Sequence, residues 1–172
     1  MTTEDSRPRR TLLLGLAATL LVPASPALAR RGRVRFGGGG MSGRGSYGPG
    51  VLTQDQLEQC IRLERDINTR ADSVDAEEAA LNARQAEIER LGMEIDSRAG
   101  RVDRYSQVSV DSYNRLVMQH RSMVGDFNAR LPVFNARVEA HNAQVGEFNA
   151  NCAQRRYYQS DMQAVRSKLG IY

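Results

Sequence analysis

The sequence predicts an all-α fold: a long antiparallel two-helix coiled-coil hairpin, a short C-terminal amphipathic helix and a disordered Gly/Arg-rich N-terminal tail. Three observations predict it. Cys60, Ile67, Val74, Leu81, Ile88, Ile95 and Val102 fall at every seventh position. Val110, Val117, Val124, Leu131, Val138, Val145 and Cys152 do the same, and apolar residues at this interval form the seam along which helices supercoil. The two series mirror each other about Ser106, so a chain folded back there sets Cys60 opposite Cys152, Ile67 opposite Val145 and Val74 opposite Val138. A disulfide between Cys60 and Cys152 would staple the open end.

Residues 1–29 read as a signal peptide. Arg7, Arg9 and Arg10 form a basic start, and Leu12 to Val22 form an apolar run too short for a comfortable membrane span. Pro23 and Pro26 break any helix there, and Ala27-Leu28-Ala29 supplies small residues for cleavage after Ala29. Arg9-Arg10-Thr11-Leu12-Leu13 resembles a twin-arginine signal, with Pro8 where Ser or Thr is usual, so both export routes stay open. The expected location is the periplasm or the extracellular space, where two cysteines pair more often than they serve redox or metal chemistry.

Residues 30–50 hold Arg30, Arg31, Arg33, Arg35 and Arg44 among many glycines. Such a composition buries too little to offset the entropy of ordering, which predicts a flexible tail. The hairpin is expected over 51–154. Thr53 can cap its first helix with Gln56 returning the bond, and Leu52 can pack on Leu57. Gly100 is a natural stop, and the polar stretch from Asp103 to Ser109 suits a turn before a second helix from about Val110. Each arm would be roughly 60 Å long at about 1.5 Å per residue. Pairs such as Glu58 with Arg62 and Glu94 with Arg98, acid first and four apart, support a solvated face. Pro132 interrupts the second helix without shifting the heptad phase, which predicts a kink rather than a break.

The second helix carries more than one seam. Phe127-Asn128-Ala129, Phe134-Asn135-Ala136, His141-Asn142-Ala143 and Phe148-Asn149-Ala150 recur at intervals of seven, with a looser copy at Tyr113-Asn114. Opposite these, the mirror register places Glu64, Ala71, Glu78, Gln85, Gly92 and Ala99. Glutamates and a glutamine cover rings poorly. The edge formed by Tyr113, Phe127, Phe134, His141 and Phe148 is therefore expected to stay half open and to contact another chain.

Residues 155–172 form the expected C-terminal segment. Ser160 to Gln163 has capping-box spacing, and Tyr158, Met162, Val165 and Leu169 share one helical face, suited to docking on the hairpin or packing in a dimer.

No pattern supports catalysis. Gly-x-Ser-x-Gly, His-Glu-x-x-His and calcium-loop spacings are missing. His120 and His141, the two histidines, lie three heptads apart, about 30 Å along one helix, and cannot share a metal. The sequence thus points to no enzyme, cofactor, metal, nucleic acid or small-molecule substrate. Charge is uneven: the rod is acidic on balance, and both flanks are basic. The expected function is a non-enzymatic exported coiled-coil protein, a structural or interaction component (adaptor or scaffold) of the bacterial cell envelope. Its expected partners are a second copy or another helical protein, with anionic envelope material meeting Arg30, Arg31, Arg33 and Arg35. In signal, size, charge and helical arms the chain resembles periplasmic holdase-type chaperones, which makes that class the alternative. It lacks their strand-rich body, and no residue motif matches.

Overall fold

The computed structural model describes residues 32–43 and 45–171, so the expected signal peptide lies outside the described residues. Two long helices, α1 (Gln54–Ala99) and α2 (Gln107–Asn151), pack against each other as a hairpin. A short helix α3 (Gln159–Leu169) and two two-residue strands, β1 (Gly40–Met41) and β2 (Tyr157–Tyr158), complete the base.

Helix α1 starts where its capping box dictates. Thr53 Oγ1 accepts the Gln56 amide at 3.3 Å, and Gln56 Oε1 accepts the Thr53 amide at 3.0 Å, which satisfies two of the donors a helix start leaves orphaned. Helix α1 ends at Ala99 with Gly100 as its cap. Helix α2 begins three residues before Val110, because Ser106 caps it by accepting the Ser109 amide. Between the two helices, Asp103 Oδ1 accepts the Tyr105 amide at 2.9 Å and the Asp103 amide donates to Ser109 Oγ at 3.1 Å. Helix α2 runs unbroken through Pro132. Asn128 and Pro132 are both exposed, so water can satisfy the carbonyl that the proline leaves without a donor.

The mirror register holds along the shaft. Cys60 and Cys152 are disulfide-bonded, with their Cα atoms 5.6 Å apart. Arg137 Nη1 meets Glu77 Oε2 at 2.7 Å, and a Cβ added at Gly92 would lie 3.5 Å from His120 Nε2. Two apolar clusters follow. The base cluster gathers Leu57, Cys60, Ile61, Ile67, Phe148 and Cys152 with Val34, Leu52 and Val165 from the flanking segments. The shaft cluster joins Val74, Leu81, Ile88 and Leu91 to Met123, Phe127 and Phe134.

The flanking segments correct the expectation of a flexible 30–50 tail, at least over the described residues from 32 onward. Val34 is buried, and its amide and carbonyl both bond the Asn68 side chain at 3.0 Å. One amide side chain thus does the pairing work of a neighbouring strand. Gly40 and Met41 pair in parallel with Tyr157 and Tyr158. On the other edge, Arg156 donates to the Gly50 carbonyl and accepts from the Leu52 amide at 2.8 Å. Alternate residues of a strand turn their backbone groups to opposite edges, so the 156–158 stretch is gripped on both sides by one N-terminal segment. Composition alone could not reveal this, because the partner of those glycines lies more than a hundred residues away.

Helix α3 docks on α1 with Val165 fully buried. The expected capping box at Ser160 does not form. Tyr158, committed to β2, becomes the cap without a side-chain bond, and α3 starts at Gln159. Its end is regular: Gly170 adopts φ 64°, and the Gly170 and Ile171 amides close back on the last turn, as a left-handed cap requires.

Candidate functional site

The aromatic edge expected to stay open is closed. Phe148 and His141 are fully buried, Phe127 and Phe134 nearly so, and Tyr113 is half-buried. The aliphatic positions Val124, Leu131, Val138 and Val145 are instead the half-buried flank. Rings carry more apolar area than valines, so the hairpin gains most by turning them inward. The positions opposite turn out adequate. Ala71 is buried, and Glu64, Glu78 and Gln85 are half-buried, as long side chains are when their methylene stems lie along apolar surface. Phe127, Phe134, His141 and Phe148 are thus core residues, and their burial within one chain removes them as an exposed contact surface.

One of them is anomalous. His141 occupies a phenylalanine place in the repeat, and among the described residues neither ring nitrogen has a hydrogen-bond partner. Gln144 Oε1, one turn on, is also buried and unpaired.

The disulfide closes a loop spanning 92 positions. Constraining the unfolded chain over such a length stabilises by about 4–5 kcal/mol in the chain-entropy account. Around it the base is tied by charge. Lys168 on α3 donates to Glu58 Oε2 at 2.6 Å, and Arg62 donates to Glu58 Oε1 at 2.8 Å. The bond from Lys168, then that from Arg62, hold the Glu58 carboxyl below its ordinary value. Tyr47 donates to Asp161 Oδ2 at 2.9 Å, a bond that raises the phenol above its ordinary value. Of the arginines expected to meet anionic material, Arg33 is paired with Asp72, Arg35 is exposed, and Arg30 and Arg31 lie outside the described residues.

The far end of the hairpin differs in kind. Leu91 is the last buried residue of α1, and Met123 is the first of α2. No residue between them is buried, although the stretch carries Met93, Ile95, Val102, Tyr105, Val108, Val110, Tyr113, Leu116, Val117 and Met118. Tyr105 is wholly exposed, Val108 is 76% exposed, and Met93 and Met118 exceed half. An open cleft of about 760 Å³ lies here, walled by Arg98, Val102, Val108 and Tyr113. The same two-helix geometry buries nine-tenths of a side chain repeatedly along the shaft, so the contrast is one of sequence, not of architecture.

Sequence reasoning missed this surface because it weighed the seams by residue type rather than by how closely the helices approach. The available signal was the loss of bulk near the turn, where Gly92 and Ala99 stand opposite His120 and Tyr113 in the mirror register. Among the described residues no group of three His, Cys, Asp or Glu side chains could hold a metal. No described helix is long and apolar enough to cross a membrane. No protein-family model, curated protein or solved structure matches this chain.

Proposed function

We propose that this chain is a non-enzymatic exported rod, a structural or interaction component of the bacterial envelope, whose contact surface is the distal third of the hairpin. The observation that carries the reading is the apolar stretch between Leu91 and Met123, where no side chain is fully buried and Met93, Tyr105, Val108 and Met118 are exposed. Surfaces of this kind on a stable fold are places where another chain sits. The occupant we assign is a second copy. Residues 92–122 set Glu94, Asp96, Asp103 and Asp111 against Arg98, Arg101, Arg104, Arg115 and Arg121. A patch with both signs interspersed and nearly balanced can face itself across a two-fold axis with acids set against arginines. The rest of the rod, by contrast, is acidic. A disulfide is compatible with an oxidising compartment outside the cytoplasm.

Sedimentation equilibrium across micromolar concentrations tests this. The processed protein should form dimers, and the combined Tyr105→Ser, Val108→Ser and Met118→Ser variant should be monomeric with unchanged helicity, because these side chains are exposed. A wild type that stays monomeric throughout would overturn the assignment. The exposed methionines Met93 and Met118 favour one second reading, since flexible thioethers adapt to many partners. If the monomeric rod suppresses aggregation of an unfolded outer-membrane protein, and the triple variant does not, the distal third serves a holdase.

A further inference from the structure

At the opposite end, three separate segments bring three arginines around one cleft. Arg35 comes from the N-terminal segment that runs from residue 32 to the start of α1 (the strap), Arg65 from α1 and Arg166 from α3, and they wall an open cleft of about 610 Å³. Its apolar lining includes Phe36, Ile61, Tyr157 and Met162. Phe36 and Tyr157 also contact each other ring to ring at 5.3 Å.

The charge at this cleft is not spent internally. Arg33 is paired with Asp72, and Lys168 with Glu58, so among the described residues the neighbouring cations on the N-terminal segment and α3 are already engaged. Arg35, Arg65 and Arg166 are exposed and have no carboxylate partner among the described residues. Glu64 is the single acid in the wall. A guanidinium presents a planar fork of donors that fits phosphate or carboxylate oxygens two at a time, and it gives up hydration more readily than an ammonium. Aromatic and thioether side chains beside such forks suit an apolar chain rather than water. The volume falls in the range of small-molecule sites, and the lining is mainly polar with an apolar strip beside the guanidinium groups.

We propose that this cleft binds an amphiphilic anion of the lipid type: one phosphate or carboxylate head held by Arg65, Arg166 and Arg35, with a single apolar chain along Phe36, Ile61 and Met162. The N-terminal segment brings Arg35 and Phe36 to the site, and the Asn68 side chain holds the adjoining Val34 backbone in place. It is independent of the distal surface, so either can fail alone.

Calorimetric titration of the processed protein with n-octyl phosphate, below its micelle concentration, tests the site. Saturable one-to-one binding is expected, with inorganic phosphate and octyl glucoside each at least tenfold weaker. Arg65→Ala and Arg166→Ala should each weaken octyl phosphate about tenfold, the loss of one charge-assisted bond. Met162→Ser should weaken octyl phosphate and leave inorganic phosphate unchanged, and Arg33→Ala, outside the cleft, should change neither. All of these positions except Met162 are exposed, and far-UV circular dichroism verifies folding in each variant. Equal affinity for inorganic and octyl phosphate would reduce the site to bare charge and overturn the proposal. So would binding insensitive to Arg65→Ala and Arg166→Ala, or no saturable binding at all.

Discussion

His141 shows how a repeat can carry a polar residue into a core at a cost. Phe127, Phe134 and Phe148 hold the equivalent places and are buried, so the position is shaped for a ring. An imidazole there keeps two nitrogens out of water without returning a bond to either. Such a group costs about 1–3 kcal/mol relative to a satisfied one. His141→Phe should therefore stabilise the hairpin by about 1–2 kcal/mol, read as a higher urea midpoint at unchanged slope. A lower midpoint would show that the histidine has a role in the packed core that a phenyl ring cannot fill. The neighbouring rings behave oppositely, since truncating a buried phenylalanine to alanine costs about 3–5 kcal/mol. Serine at Phe127 or Phe134 would consequently unfold the shaft rather than report on association, and for that reason contact is tested at Tyr105 and Val108. The repeat was plain in the sequence. Its direction was not, because periodicity places a residue on a face and only packing decides which of two adjacent faces turns inward.

Helix α3 is attached partly through charge. Val165 buries its apolar side, and the Lys168 bond to Glu58 fixes its last turn. Because the fold lowers the Glu58 carboxyl below its unfolded value, the contribution is complete above the ordinary carboxylate value of 4.5 and disappears as pH falls through the lowered folded one. Acidification should therefore lower the amide protection factors of α3, taken relative to intrinsic exchange at each pH, before those of the hairpin fall. In Lys168→Met the same acid-dependent fall in protection should be smaller, since the largest cause of the lowering is gone. Equal pH dependence in the two proteins would place the acid-sensitive group elsewhere. The two long helices were legible from heptads, caps and the mirrored cysteines, each a local or periodic signal. The strap was not. Its order comes from Asn68 and from a strand pair between residues near 40 and 157, and contacts that distant leave no imprint on local composition.

The whole molecule is a rod finished at one end and unfinished at the other. At the base, a disulfide, two strand edges, a capping box and a third helix converge on one apolar cluster that includes Phe148, Leu57 and Val165. At the tip, two helices meet through half-buried side chains and a turn held by Asp103 and Ser109. Local opening needs less free energy where fewer apolar contacts must be broken, so stability should grade along the axis. Hydrogen exchange of the monomer should find the amides of residues 92–122 opening well before those of 54–91 and 123–151. The gradient also bears on the contact surface. A second copy seated on Tyr105, Val108 and Met118 would bury what the monomer leaves open, so exchange at the tip should slow as protein concentration rises, while the base stays as it was. Uniform protection along the monomer would mean that the tip is already packed, and the case for a docking surface there would fall with it. Slow exchange confined to the base at every concentration would leave the gradient intact and remove the second copy as its occupant.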